Sequence, residues 1–415
     1  MHILHVCHQY WPAVGGAERY MTELSEEMAS RGHEVDVFTS RSTDYMTWAN
    51  SLPEQDRVGG VDVFRFASLR RRRYTWHALD FGVQGYARSR RRIYEPFVFY
   101  GNGPVSPALA GTLLQRVRNY DLVHIASLHY AHAWTAFWLA TRHNVPVCLT
   151  PLAHIGQPET YDVGYMRRML RDSDAVFAMT DAEQRLFSTE GLNDHATVTG
   201  SGLRLERHPP VSRAAARARF GLSDDAYVVL FLGRKAAYKG LENCIQAITE
   251  LRSTRKNAVL LAVGPETEYS ERLWRRRGEQ EAIVVRGTVS DTERLAALSA
   301  CDVLALPSSG ESFGIVYLEA WAYAKPVIGA NIAAVASLID DGTDGLLVEP
   351  NDTRQLVQRL AALSSQPDLG RRLGASGHEK LRTRYTWARI GDIVEGAYAR
   401  TLRSRATMNG VTACT

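Results

Sequence analysis

Lysine is scarce in this 415-residue chain: only five of its 49 basic residues are lysine, and two of those, Lys235 and Lys239, fall in one short loop. Cysteine is scarce too. The five cysteines stand singly and form no C-x-x-C pair, which argues against a structural zinc site or a disulfide framework and predicts buried, reduced thiols. No run of about eighteen apolar residues occurs, which argues against a membrane-spanning helix. The start, MHILHVC, lacks a basic leader and an apolar signal core and reads instead as a strand, so a cytoplasmic location is expected. Neither sign of charge dominates: the net charge is +4, with −1 in residues 1–200 and +5 in the rest, so no nucleic-acid partner is implied. No D-x-D pair sits at a strand end, so no metal site is assigned. The G-x-G-x-x-G fingerprint of nicotinamide enzymes is missing after the first strand.

What is present is alternation. Short apolar runs at 2–7, 34–40, 61–66, 121–127, 145–150, 174–180 and 196–201 read as strands, and helical patterns lie between several of them. A second series follows at 227–233, 258–264, 282–287, 302–308, 326–330 and 345–350. Repeated strand–helix–strand units mean parallel sheets covered by helices on both faces. The weakly patterned stretch LRLERHPPVSR near 203–213, with two adjacent prolines, suggests a link between two such domains. Ligands of open parallel sheets bind beyond the carboxyl ends of the strands, so functional residues are expected in the loops after strands and the site in a cleft between facing domains.

Three motifs occupy such loops. Gly15-Gly16 lies after the first strand, at a helix start suited to an anion, or forms a plain turn. GRKAAYKG (233–240) places Arg234 and Lys239 where two cations can neutralise a diphosphate, or forms a solvated basic turn. ESFGIVYLE (311–319) spaces Glu311 and Glu319 about a helix expected to start at Ser312 or Phe313, whose first amides would face a ligand. There Glu311 can accept from sugar hydroxyls and Glu319 can reach a ribose diol.

Residues 311–319 resemble the E-x7-E motif of the retaining GT-B glycosyltransferases of family 4 (glycosyl transferases group 1). Other segments match in the right order: GGAERYMTELSEEMASRGHEVDVFT, DAVFAMTDAEQRLFSTEGL, GRKAAYKG, DDGTDGLLVEPND and the terminal YTWARIGDIVEGAYAR. The resemblance implies an α/β GT-B fold of two facing Rossmann-like domains: 1–205 for the acceptor, 206–385 for the nucleotide sugar, a helix over 386–404 crossing back to the first domain, and a tail over 405–415. It implies a donor set of Gly16, Arg234, Lys239, Gly287, Val289, Glu311, Ser312, Phe313, Gly314, Ile315, Val316 and Glu319. The acceptor set is Gly15, Gly16, Glu18 and His129, and the catalytic set is His154, Arg234, Lys239 and Glu311. The family places a histidine in the cleft after a strand of the first domain; His154 and His129 compete for that place. The altered turn GPETEYSERL leaves base contacts from Gly264 and Pro265 open.

The implied activity is metal-independent, retaining transfer from a nucleotide diphosphate sugar of UDP or GDP type. The acceptor is a small molecule, glycan or lipid-linked species, and no cofactor is required. Rival readings are a nucleotide-sugar epimerase and a non-catalytic nucleotide-sugar-binding protein. The basic runs at 69–74 and 89–92 bracket aromatics; they read either as a solvated, mobile acceptor loop or as peripheral contact with an anionic membrane surface.

Overall fold

A computed structural model describes residues 1–277 and 282–412, which form two compact units. Unit 1 is Met1–Gly202 with the helix that starts at Trp387; unit 2 is Leu203–Thr386.

Unit 1 is built on an eight-stranded sheet of β1 (His2–Val6), β2 (Glu34–Ser40), β3 (Gln55–Val58), β4 (Val61–Phe66), β5 (Leu122–Ala126), β6 (Val147–Thr150), β7 (Ala175–Ala178) and β8 (Thr197–Val198), in the order β3-β4-β2-β1-β5-β6-β7-β8. Its helices are α1 (Gly16–Ser30), α2 (Arg73–Ser89), α3 (Glu95–Asn102), α4 (Pro107–Arg116), α5 (Ala131–Arg142), α6 (Gly164–Asp172) and α7 (Asp181–Thr189). All pairings are parallel except β3 with β4.

Unit 2 starts with α8 (Arg213–Phe220) and alternates β9 (Tyr227–Leu232), α9 (Leu241–Leu251), β10 (Ala258–Val263), α10 (Glu268–Arg277), β11 (Ile283–Arg286), α11 (Asp291–Ala300), β12 (Val303–Leu306), α12 (Ile315–Ala322), β13 (Val327–Ala330), α13 (Ala333–Ala336) and β14 (Leu346–Val348). It closes with α14 (Thr353–Ser365) and α15 (Pro367–Arg384). Its six strands are all parallel, in the order β11-β10-β9-β12-β13-β14. Central strands such as β9 and β12 are buried at every residue, as strands covered on both faces must be, hence their unbroken apolar runs. The expected pair of doubly wound parallel-sheet domains is what the chain forms.

Two features lie outside the sequence reading. QDRV, the short β3, is polar and carries no alternation; it becomes a strand because Gly59-Gly60, with φ of 57° and 86°, supplies a tight hairpin turn back from β4. The segment read as an acceptor loop after residue 69 is instead a helical hairpin of α2 and α3. Glycines let its helices approach: a Cβ on Gly82 would lie 2.8 Å from the Val98 amide nitrogen, and one on Gly101 2.5 Å from Leu79. Arg71, read as part of a solvated run, is buried. Its guanidinium donates to the carbonyls of Tyr45, Gly101 and Asn102 and stacks 3.9 Å from the Trp76 ring centroid, so it clamps the base of the hairpin.

The final helix, α16 (Trp387–Thr412), continues through most of the stretch read as a tail, and residues 413–415 lie outside the described residues. It packs on α1 within unit 1. Arg31 donates to Glu27, Asp392, Glu395 and the Ala388 carbonyl at 2.7–3.0 Å, and the Trp387 indole N–H donates to Glu23. Beneath it runs a buried polar chain. His5 Nδ1 meets the Ser25 hydroxyl at 2.7 Å, and Tyr398 bridges His5 and His124. His124 Nε2 meets the Thr150 hydroxyl at 2.8 Å. Cys7, Cys148, Cys244 and Cys301 are free and buried, and burial pushes the Cys7 and Cys244 thiols up to about 12; Cys414 lies outside the described residues. Among the described residues no helix is long and apolar enough to cross a membrane.

Burial holds the His5 pKa down to about 3 and lowers that of His124 well below 6.5. A depressed base favours folding above its unfolded value of 6.5, and that stability is lost as pH falls toward the folded value. Each such histidine is therefore expected to remove about 1.4 kcal/mol per pH unit below its unfolded value. Urea midpoints measured from neutral pH downward should fall steeply for the wild type and less steeply for His5→Asn. Parallel slopes would show that His5 is not held neutral.

Candidate functional site

In unit 2 the loops after β9 and β12 are forced into contact. Gly240 ends the first loop at φ 77°, and a Cβ there would sit 2.5 Å from the Pro307 carbonyl oxygen at the end of β12. The Ser309 amide donates to the Tyr238 carbonyl at 2.8 Å. That contact brings the two candidate motifs together: Lys239 Nζ donates to Glu311 Oε1 at 2.6 Å, with both side chains largely buried. Burial is the largest influence and works against the Lys239 charge, but the Glu311 carboxylate and Tyr238 together raise the ammonium pKa; the nearby Arg234 guanidinium pulls the other way. Arg234 itself is half-buried in the turn just after β9.

Lys235 is the other lysine of the loop, and its role is different. It is fully buried, donating to the carbonyls of Gly264 and Arg286 and to Glu266 at 2.5–2.7 Å. It ties the loops after β9, β10 and β11 to one another. Gly264, at φ 134°, lies so near Gly233 that a Cβ would meet the Gly233 carbonyl oxygen at 2.1 Å. Gly287 and Val289 follow β11, exposed and half-buried respectively, and the Gly287 carbonyl accepts from the Gly264 amide at 3.1 Å.

The helix expected to start at Ser312 or Phe313 starts at Ile315. Gly314, at φ 97°, turns the chain immediately before it, in a conformation that a side chain would strain, and a Cβ there would meet the Tyr317 ring at 2.6 Å. Ser312 is half-buried in the preceding loop. Phe313 is buried with its ring against Tyr385, so its side chain serves packing. Ile315 and Val316 are half-buried and supply the first-turn amides that lack a carbonyl one turn back. Tyr317, passed over in the sequence, donates its hydroxyl to the Leu306 carbonyl at 2.8 Å and fixes α12 to the end of β12. Glu319 lies one turn further on, buried and ion-paired with Arg294 of α11, with His208 Nε2 at 4.0 Å.

In unit 1 the ends of β1, β5 and β6 collect histidines. Gly15 and Gly16 are exposed at the start of α1, and a Cβ on Gly15 would strike the Glu18 carboxylate at 2.1 Å. Glu18 is buried and accepts from His8 Nε2 at 3.0 Å. His8 stacks on Tyr130, whose ring also lies 4.1 Å from that of His129. Burial first, then the charges of His8, His154 and Arg71, hold the His129 pKa down to about 3, so His129 is a neutral imidazole. His154 follows β6, its amide donating to the Thr160 hydroxyl at 3.1 Å. The competing pair, His129 and His154, therefore share one neighbourhood. His8 and Tyr130 belong to it as well; the sequence signal for them was position just past a strand. Glu183 is buried beneath the loop after β6, accepting from the amides of Ala153 and Met179, and burial raises its pKa to about 7 against those two hydrogen bonds. A shallow recess beside this group is lined by Trp48, Arg70, Arg71, Thr75 and Tyr100, among others.

Residues 212–380 match the family model described as glycosyl transferases group 1, and residues 15–202 match the glycosyl transferase 4-like domain. The chain belongs to the group 1 glycosyl transferases. It is 28% identical to the D-inositol 3-phosphate glycosyltransferase of Saccharomonospora viridis, over 92% of this chain and 89% of that one. Two solved structures share the fold. Sucrose-phosphate synthase from Thermosynechococcus elongatus superposes with a TM-score of 0.73 at 19% identity, covering 97% of this chain and all of that one. HepE of Anabaena, solved in complex with UDP-glucose, gives 0.71 at 18% identity over 97% of this chain and 100% of its own. A group 1 glycosyl transferase is a GT-B enzyme that takes its sugar from a nucleotide-linked donor; the comparisons give the epimerase reading no support.

The glycines separate geometry from chemistry. Gly240→Ala and Gly314→Ala each combine a positive φ with a contact under 3.0 Å and should cost about 2–4 kcal/mol. Gly287→Ala has open space and an ordinary φ, so it should change stability by under about 0.5 kcal/mol. Denaturant titration of the three variants checks the ranking; equal midpoints would mean that the two loops do not constrain each other as described.

Proposed function

We propose that the chain is a retaining transferase whose donor is a UDP- or GDP-linked sugar gripped by the loops of unit 2, and whose acceptor hydroxyl meets the histidine group of unit 1. The observation that carries the reading is the Lys239–Glu311 pair at the joined ends of β9 and β12, beside Arg234 and the amino end of α12. Arg234 and Lys239 supply positive charge for the diphosphate, and the Ile315 and Val316 amides add to it. Preorganised charge of this kind favours the leaving group as it becomes more negative. Glu311 takes the sugar hydroxyls, and Glu319, oriented by Arg294, takes the ribose diol.

In the step itself the bond from the anomeric carbon to the diphosphate oxygen breaks and the bond to the acceptor oxygen forms on the same face. The acceptor proton passes to the departing phosphate, so no base of the protein is consumed and no metal is called on. A neutral His129 suits a hydrogen-bonding role toward sugar or acceptor. His154 is the second candidate for that place. The similar Saccharomonospora viridis enzyme is named for D-inositol 3-phosphate, which suggests as acceptor a polyol bearing an anionic group; Arg70 at the recess offers such a group a counter-charge. The four buried, unpaired thiols suit a reducing, cytoplasmic compartment.

A panel of UDP-, GDP-, ADP- and dTDP-sugars scored by thermal shift should show stabilisation by one base class, followed by release of its nucleoside diphosphate. Calorimetry then divides the two carboxylates. Glu319→Gln should weaken the sugar nucleotide and the free nucleoside diphosphate alike, by roughly tenfold for a lost charge-assisted bond of about 1.5 kcal/mol. Glu311→Gln should weaken the sugar nucleotide and spare the nucleoside diphosphate. The opposite pattern rejects the assigned roles, and silence across the whole donor panel rejects the function.

A further inference from the structure

Apart from Arg70 at the recess, residues 69–102, which include the α2–α3 hairpin, carry a charge and a surface that the transfer reaction does not use. Residues 69–102 contain eight arginines against Asp80 and Glu95, a net charge of +6 where the whole chain has +4. The remainder of residues 1–200 carries −7, so this element is a positive patch on an otherwise acidic N-terminal half. Arg71 is spent inside the fold and Arg90 is paired with Asp162, but Arg70, Arg72, Arg73, Arg88, Arg91 and Arg92 remain exposed.

Between the arginines, large apolar side chains stand in water. Ile93 is 69% exposed, Tyr74 56%, Phe81 55%, Leu69 49% and Phe97 40%. They are not scattered. Tyr74 and Phe81 are seven residues apart on one face of α2, and Ile93, in the turn just before α3, lies four residues ahead of Phe97 in its first turn. Phe81 meets Phe97 edge-to-face at 5.1 Å and Tyr94 at 5.4 Å, so the two helices share one aromatic ridge. The close helix contact at Gly82 and the Arg71 clamp fix the ridge in place.

We infer that this hairpin docks on an anionic lipid surface, with the aromatic ridge entering the headgroup region and the flanking arginines held at the phosphates. Charge complementarity selects the occupant. A second copy of the chain would bring +6 against +6, which opposes a symmetric contact between hairpins. A nucleic acid would answer the arginines but leave Ile93 and Leu69 without a partner. An anionic bilayer satisfies both, as amphipathic, arginine-rich surface elements with aromatic apolar faces do. Docking goes beyond the transfer reaction and does not depend on which acceptor is used; it would set unit 1 beside any acceptor that the membrane displays.

The test is co-sedimentation of the full chain with vesicles of phosphatidylcholine alone and of phosphatidylcholine with an equal amount of phosphatidylglycerol. The wild type should pellet with the second and stay in solution with the first, and added salt should weaken the interaction. Arg88→Ser with Arg91→Ser and Arg92→Ser should lower partitioning on the order of 100-fold, at about fivefold per arginine. Phe81→Ser with Phe97→Ser should lower it too, with the hairpin intact by circular dichroism. Release of nucleoside diphosphate in solution should be unchanged in the arginine variant, so loss of docking and loss of activity are read separately. Recovery of the wild type in the supernatant with both vesicles overturns the inference. So does binding that the phenylalanine variant leaves unchanged, which would mark simple adhesion to any polyanion, nucleic acid included.

Discussion

The unit 2 site depends on one close approach. Gly240 passes so near the Pro307 carbonyl that nothing larger than hydrogen fits between them, and the loops after β9 and β12 must therefore lie against each other. From that contact follows the pairing of Lys239 with Glu311, two residues 72 positions apart in sequence. A cation and an anion held together at low exposure partly neutralise each other while no ligand is present. An arriving diphosphate gives the lysine a second anionic partner, and the sugar hydroxyls give the carboxylate a new set of donors. The ion pair thus keeps two groups in position for opposite ends of the donor. Lys235 supplies the rigidity behind it by closing three loops onto one buried ammonium.

Unit 1 uses a different economy of charge. Burial pushes four of its histidines, His5, His124, His129 and His132, below the ordinary imidazole range. Some of them hold structure, as in the chain from Ser25 through His5 and Tyr398 to His124. His8 and His129 instead gather at the strand ends around Tyr130, where a ligand of a parallel sheet would be expected. Glu18 reaches that group because α1 starts at two glycines. The Gly15 position leaves room for its carboxylate, which bonds to His8.

The parallel strands were legible because burial on both faces requires continuous apolar runs, and β9 and β12 have no polar interruption. The loops after them were legible because chemistry-bearing residues stood out against apolar flanks. Less was visible where structure is set by side-chain geometry at long range. Nothing in GRKAAYKG tells that Lys235 points inward to two backbone carbonyls and the Glu266 carboxylate while Lys239 meets Glu311. α12 starts two or three residues beyond the expected position because Gly314 imposes a left-handed turn that ESFGIVYLE does not announce. Of the two readings open for residues 69–92, the mobile loop fails because the segment is helical, and the basic ends of the hairpin hide the internal glycine spacing that joins α2 to α3. Arg71 was read as solvated because its carbonyl partners lie about thirty positions away. His8 carries no local signal because its partner Glu18 belongs to a different element.

The central claim is that Lys239 stabilises the departing diphosphate, and turnover of a nucleotide sugar by Lys239→Ala against the wild type tests it most directly. Loss of such an electrostatic clamp should remove about 2–4 kcal/mol of transition-state stabilisation, a fall in kcat/KM of roughly 30- to 1,000-fold in a variant that still folds. Nucleoside diphosphate release by Lys239→Ala at the wild-type rate would contradict the account.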